Sequence, residues 1–258
     1  MSSFEKARGL IRQFKGDAYL NGFGVLTQVG HFCANLGKRA VIVRDPFRGA
    51  DVFVETVRDS LTSAGMEVVG MIDGASPNAP REDLARITTR LTELNPDLTV
   101  SFGGGSTIDA TKAAEVLRAL GGTIDDYFGT GLVTKALAAR GKELAPHVAI
   151  QSAASSSAHL TKYSNITDLK TGQKKLIVDD AIVPTRAVFD YAVTLGAPAA
   201  LTADGGLDGI SHVLEVLYGA VGKPYYDRME EVAREGISLV LAHLPRGSRH
   251  VRRCPRSR

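Results

Sequence analysis

The sequence predicts an α/β fold: an N-terminal doubly wound parallel sheet of Rossmann-like type, followed by the start of an all-helical domain. Three observations predict it. Continuous apolar runs such as Arg39–Asp45 suit parallel strands covered on both faces. Strand-like and helix-like segments alternate with short connections between them. From Pro198 onward the pattern turns to helix alone.

Taken in order, Leu20 to Gly30 mixes glycine with β formers and reads as an edge hairpin or a strand with its turn. Arg39–Asp45 is a strand. Ala50 to Ala64 then sets Val54, Val57, Leu61 and Ala64 on one helical stripe. Met66 to Ile72 is the next strand. Pro80 to Leu94 is a helix with Leu84, Ile87, Leu91 and Leu94 facing the core and Pro80 near its start. Leu98 to Phe102 is a third strand and His147 to Gln151 a short fourth. Between Gly121 and Pro146 the pattern loosens, and Asp125–Gly129 reads as a surface excursion. Ile177 to Asp190 returns to strand character. Leu201–Gly219 and Tyr225–His243 have helical spacing, with Leu214, Leu217, Ile237 and Leu241 as core candidates.

The bulk numbers exclude several classes. At 258 residues the chain holds one large or two modest domains, and 44% hydrophobic with 23% charged residues is ordinary for a globular protein. No apolar run approaches the ~18 residues of a membrane span, and Met1–Gly16 has no apolar signal core, so neither a membrane nor a secretory route is expected. Cys33 and Cys254 suggest no disulfide framework, which fits a cytoplasmic, reducing compartment. The net charge of +3 comes from the tail: residues 246–258 hold six arginines and no acid, and removing them leaves −3. That tail has neither aromatic interleaving nor periodicity, so no nucleic-acid partner is expected.

The most informative stretch is Asp97–Ala114. A buried strand ends in Gly103-Gly104-Gly105, and Ser106 stands where a helix N-cap belongs, with Asp109 three residues on as a capping-box partner. A helix starting at a bare glycine turn presents unpaired N–H groups and its positive dipole end, a ready site for a pyrophosphate. A tight turn that needs glycine only for its shape is the alternative. Further on, Asp208 and His212 are four residues apart, stacked on one helical face where carboxylate and imidazole can share a divalent cation. On spacing alone, the plainer reading of a capping Asp and an ordinary helical His is preferred.

Together, Gly103-Gly-Gly-Ser-x-x-Asp-x-x-Lys112, Thr167-Asp168, Lys174, Pro184 with Asp190, and Gly206-x-Asp208-x-x-x-His212-x-x-Glu215 resemble the iron-containing (group III) alcohol dehydrogenase family, from about Gly22 to Pro245. The resemblance implies a dinucleotide-binding domain over 1–195, a partial metal-binding helical domain over 196–245 and an active site in the cleft between them. It implies that Gly103, Gly104, Gly105, Ser106 and Asp109 belong to the pyrophosphate turn. Asp45 matches the position facing the adenosine ribose, favouring NAD over NADP, with Arg44 beside it softening that preference. Lys174 matches a basic position near the cofactor phosphates, and Lys175 takes that place if the alignment slips by one residue. The implied metal is Fe²⁺ or Zn²⁺ on Asp208 and His212. The implied reaction is metal-assisted hydride transfer between an alcohol or aldehyde and nicotinamide, in a homodimer paired through the Leu20–Gly30 segment. A superfamily member acting on a polyol or a phosphorylated substrate, and a nucleotide-binding module without catalysis, are the other readings.

Two departures from the family pattern stand out. Gln151–His159 replaces a Thr-rich run, with Ser152 and Ser155 standing for threonine hydroxyls on the cofactor and His159 near an expected acid. The family's two further metal histidines would fall beyond residue 258. His243 and His250 are the downstream candidates here. The expectation is therefore a chain truncated within its helical domain, with a non-native or disordered basic tail over 246–258, a native basic tail being the alternative. Such a chain would leave Val213, Leu217 and Leu241 partly uncovered.

Overall fold

The computed structural model describes residues 3–250, with side chains described as far as residue 245. Helix α1 (Ser3–Lys15) precedes strand β1 (Tyr19–Gly22), a 3₁₀ turn and the short α2 (Val29–Cys33). The alternation β2 (Arg39–Arg44), α3 (Ala50–Ser63), β3 (Glu67–Asp73), α4 (Arg81–Leu94), β4 (Leu98–Gly103), α5 (Gly105–Leu120) follows. Then come β5 (Gly129–Thr130), α6 (Leu132–Arg140), β6 (His147–Gln151), β7 (Tyr163–Asp168), β8 (Gln173–Val178) and β9 (Arg186–Asp190). Helices α7 (Tyr191–Thr194), α8 (Ala199–Gly219) and α9 (Tyr226–His250) complete the order.

The chain divides into two compact units. One holds residues 20–152 and 157–192; the other gathers the chain up to Tyr19, residues 153–156 and the chain from Val193 on. In the first, a six-stranded sheet runs β1-β9-β6-β4-β2-β3. The pairs β3/β2, β2/β4, β4/β6 and β6/β9 are all parallel. Every residue of β4 is buried, because the strand is central and covered on both faces. One core layer joins Val41, Val43 and Ile72 of the sheet to Leu84, Ile87 and Leu91 of α4 and to Ala110, Ala113 and Ala114 of α5. Burial of each large side chain contributes about 1.5–3 kcal/mol.

The strands and helices from Arg39 to Leu120 form where periodicity places them. Elsewhere the structure corrects the reading. Of the two readings of Leu20–Gly30, the hairpin is absent and the strand with its turn is what forms: β1 is an edge strand, and the chain turns directly into helical residues from Val25. The loosened 121–146 region contains α6. Asp125–Gly129 is at the surface, with Asp125 and Asp126 exposed, but it is anchored: Tyr127 is 2% exposed and its hydroxyl donates to the Gly121 carbonyl at 2.7 Å. A second sheet, β5-β8-β7, escaped the pattern altogether, with β7 antiparallel to β8.

In the helical unit α9 packs against α8 and α1. Glycine allows the closeness: a Cβ on Gly206 would meet Leu244 at 2.8 Å, and one on Gly205 would run into the Ala154 carbonyl oxygen. Leu214, Leu217 and Ile237 are half-buried, but Leu241 is 64% exposed and is no core residue. Val213 and Leu217 stay half-covered. The arginine-rich segment 246–258 lies outside the residues whose side chains are described. Among the described residues no helix is long and apolar enough to cross a membrane.

Candidate nucleotide site

Strands β2 and β4 are neighbours whose connections depart in opposite directions, to β3 on one side and towards β6 on the other. Ligands of open α/β sheets bind at such a switch point, beyond the carboxyl ends of the strands. The ladder bonds bring those ends into line. Asp45 N–H donates to the Phe102 carbonyl at 2.9 Å, Gly74 N–H to Arg44 at 2.7 Å, and Ser152 N–H to Gly103 at 2.9 Å. A cavity of about 660 Å³ opens there, lined by Asp45, Pro46, Phe47, Asp73–Pro77, Asp83, Arg86 and Gly104–Ser106.

The helix does not start at Ser106. Gly104 is the N-cap residue, Gly105 the first helical one, and no side chain within the turn caps it. The acceptor comes from 59 residues away. Asp45 Oδ2 accepts from Gly104 N–H at 2.7 Å, and Oδ1 accepts from the Thr107 hydroxyl. Thr107 Oγ1 in turn accepts from Ala75 N–H at 2.8 Å, tying the β3 wall to the helix. A Cβ on Gly103 would stand 2.7 Å from the Asp45 carboxyl atoms, so glycine is required for this approach. Burial pushes the Asp45 carboxyl above its usual value, opposed by the Thr107 and Gly104 donors. Ser106 Oγ accepts from Asn78 N–H at 3.0 Å instead of capping.

Asp109 is no capping-box partner either. It points away from the helix start, and its Oδ2 accepts from Asn165 N–H at 3.0 Å. Burial raises its carboxyl, with Lys112 3.8 Å away as the main opposing influence. The buried Lys112 ammonium donates to the carbonyls of Ala158, Thr161 and Tyr163 at 2.7–2.9 Å. Asp109 and Lys112 therefore clamp β7 and the segment before it to α5. Sequence spacing placed these two residues on the helix but gave no sign of that clamp.

Lys174 and Lys175 point to different neighbourhoods, as alternation along a strand requires. Lys174 Nζ reaches Asn78 Oδ1 at 3.2 Å, beside Ser106. Lys175 Nζ pairs with Asp125 at 3.1 Å, next to the Arg81–Asp125 pair. Ser152 adjoins the glycine turn through its bond to Gly103. Ser155 belongs to the helical unit, where it neighbours Gly205. His159 is buried, its Nδ1 3.1 Å from Gln151 Oε1. Sequence reasoning missed Thr107, which bonds Asp45 and Ala75, and Asp73, Asp83 and Arg86, which α4 brings together at the end of β3.

On α8, His212 Nδ1 lies 3.5 Å from Asp208 Oδ2, both half-exposed. No group of three or more His, Cys, Asp or Glu side chains able to hold a metal exists among the described residues. His243 packs on the Phe4 ring, with 4.9 Å between centroids. His250 falls where side chains are not described. A catalytic cation takes three protein ligands, so these two donors alone do not fit one.

Comparison with known proteins places these features. The family model described as "iron-containing alcohol dehydrogenase" matches residues 17–191. An NAD-dependent methanol dehydrogenase of Bacillus methanolicus is 30% identical over 226 residues, 87% of this chain and 56% of that protein. Alcohol dehydrogenase 4 of Saccharomyces cerevisiae is 31% identical over 220 residues, 85% of this chain and 55% of that one. The chain thus spans about half the length of the curated relatives it matches. An iron-containing alcohol dehydrogenase from Thermococcus thioreducens superposes with a TM-score of 0.77 at 24% identity, covering 90% of this chain and 59% of that one, a likeness of fold.

Proposed function

The chain belongs to the iron-containing alcohol dehydrogenase family, and from that premise we propose that its sheet unit holds NAD for hydride exchange between a small alcohol and its aldehyde. The observation that carries this is the Gly103–Gly105 turn at the switch point, opening on a cavity of about 660 Å³. The first-turn amides of α5 would take the pyrophosphate. Asp45 would face the ribose, Lys174 and Ser152 would stand at its phosphate side, and Gly103 keeps the approach free of a side chain. Bound nicotinamide supplies the hydride chemistry; this chain's residues bind and orient it.

Asp208 and His212 would furnish two donors for Fe²⁺ or Zn²⁺. The described residues supply no third. That same shortfall favours a second reading, a nucleotide-binding module without turnover. The edge position of β1 supports pairing of two copies into a homodimer.

Aldehyde reduction by NADH, with and without added Fe²⁺ or Zn²⁺, tests the proposal. Metal-dependent turnover supports the dehydrogenase, NADH binding without turnover supports the binding module, and absence of NADH binding overturns both.

A further inference from the structure

Resting on that nucleotide reading, we propose that Asp51 and Asp73 discriminate between cofactors by holding the Arg44 guanidinium, which would otherwise receive a 2′-phosphate. Arg44 ends β2 immediately before Asp45, and its carbonyl accepts from Gly74 N–H, so it stands where β2 and β3 finish together. A guanidinium near the ribose is the group that accommodates a 2′-phosphate, because its fork matches phosphate oxygens. Here that fork is engaged. Nη1 lies 3.0 Å from Asp51 Oδ1 in the first turn of α3, and Nε lies 3.7 Å from Asp73 Oδ1 at the end of β3.

The charge balance follows. Arg44 with two carboxylates carries −1 where the guanidinium alone would carry +1. Asp45 adds another negative charge in the cavity. Arg86, the cation that lines the cavity itself, is committed as well: it donates to the Asp73 and Gly74 carbonyls at 2.7 Å and to Asp83 at 2.9 Å. A dianionic 2′-phosphate therefore meets carboxylates and two engaged guanidiniums, while a ribose hydroxyl meets acceptors. Asp51 and Asp73 are 82% and 68% exposed, so each pair is weak as a structural bond and acts by cancelling charge. Their removal leaves the sheet core untouched.

The test is fluorescence titration of the whole chain with NADH and NADPH, for the wild type, Asp51→Asn/Asp73→Asn, and the same double variant with Arg44→Ala. The wild type prefers NADH. In the double variant the NADPH-to-NADH ratio of Kd values falls about tenfold, and Arg44→Ala restores most of it. The single variant Asp73→Asn moves the ratio the same way by a smaller factor and serves if the double variant folds poorly. An unmoved ratio, a fall that persists without Arg44, or a wild type preferring NADPH overturns the inference alone. A wild type that binds neither nucleotide overturns the reading on which it rests.

Discussion

Helices α5 and α8 carry the two halves of the candidate chemistry and are built in opposite ways. α5 buries eleven of its sixteen residues, and its polar side chains are pinned across the sheet unit. α8 buries one residue of twenty-one, Gly205, and leaves Leu207, Val216 and Tyr218 more than half exposed. The candidate nucleotide half is fixed by side-chain bonds within its unit. The candidate metal half is an Asp208–His212 pair on one helix.

The comparison breaks first at Lys112. Lys112→Ala strands three carbonyls and the Asp109 carboxylate in the interior, and should cost about 3–5 kcal/mol of stability in urea unfolding. A loss below about 1 kcal/mol would mean that α5 is not clamped as described. Next comes Gly103→Val, whose side chain would collide with the Asp45 carboxyl. We expect NADH affinity to fall at least about 100-fold, some 2.7 kcal/mol, in titration. Unchanged affinity would remove the turn from the site.

A pH series sharpens the same contrast. His147 is buried with Nε2 2.7 Å from Ser101 Oγ, and burial, with Lys112 adding to it, lowers its pKa to about 3. The unfolded chain, titrating near 6.5, binds the proton first, so stability falls as pH drops from about 6.5 towards 3. His147→Gln should flatten that limb; an unchanged acid limb would exclude His147 as its source. The smallest effect belongs to α8. Asp208→Ala breaks an exposed pair and should change stability by less than about 0.5 kcal/mol. A change of several kcal/mol would show that the pair is structural.

The elements from Arg39 to Leu120 were legible because their apolar residues recur at helix and strand periods. The N-cap of α5 was not, since Ser106 has the right chemistry at the expected place. Asp45, folded in from the end of β2, takes that role instead. The ribbon β7–β8 was hidden for a related reason. Gln173–Lys175 is polar and exposed, and it becomes a strand only through its pairing with β7. Helix α6 is short and buries only Val133, too little for a periodic signal. Of the candidate site, motif order pointed to the glycine turn, to Asp45, which the structure brings against Gly104, and to Lys174, which it brings to Asn78. Thr107 was not legible, because its partners Asp45 and Ala75 are distant in sequence, and neither were Asp83 and Arg86, whose bonds to the end of β3 carry no motif.

The most direct measurement is a calorimetric titration of the chain with NADH in EDTA, repeated with added Zn²⁺. A saturable single site whose Kd is the same in both conditions is expected, because the glycine turn and its Asp45–Thr107 bracket are assembled from this chain's own side chains. Binding that appears only with Zn²⁺, or no binding in either condition, would contradict it.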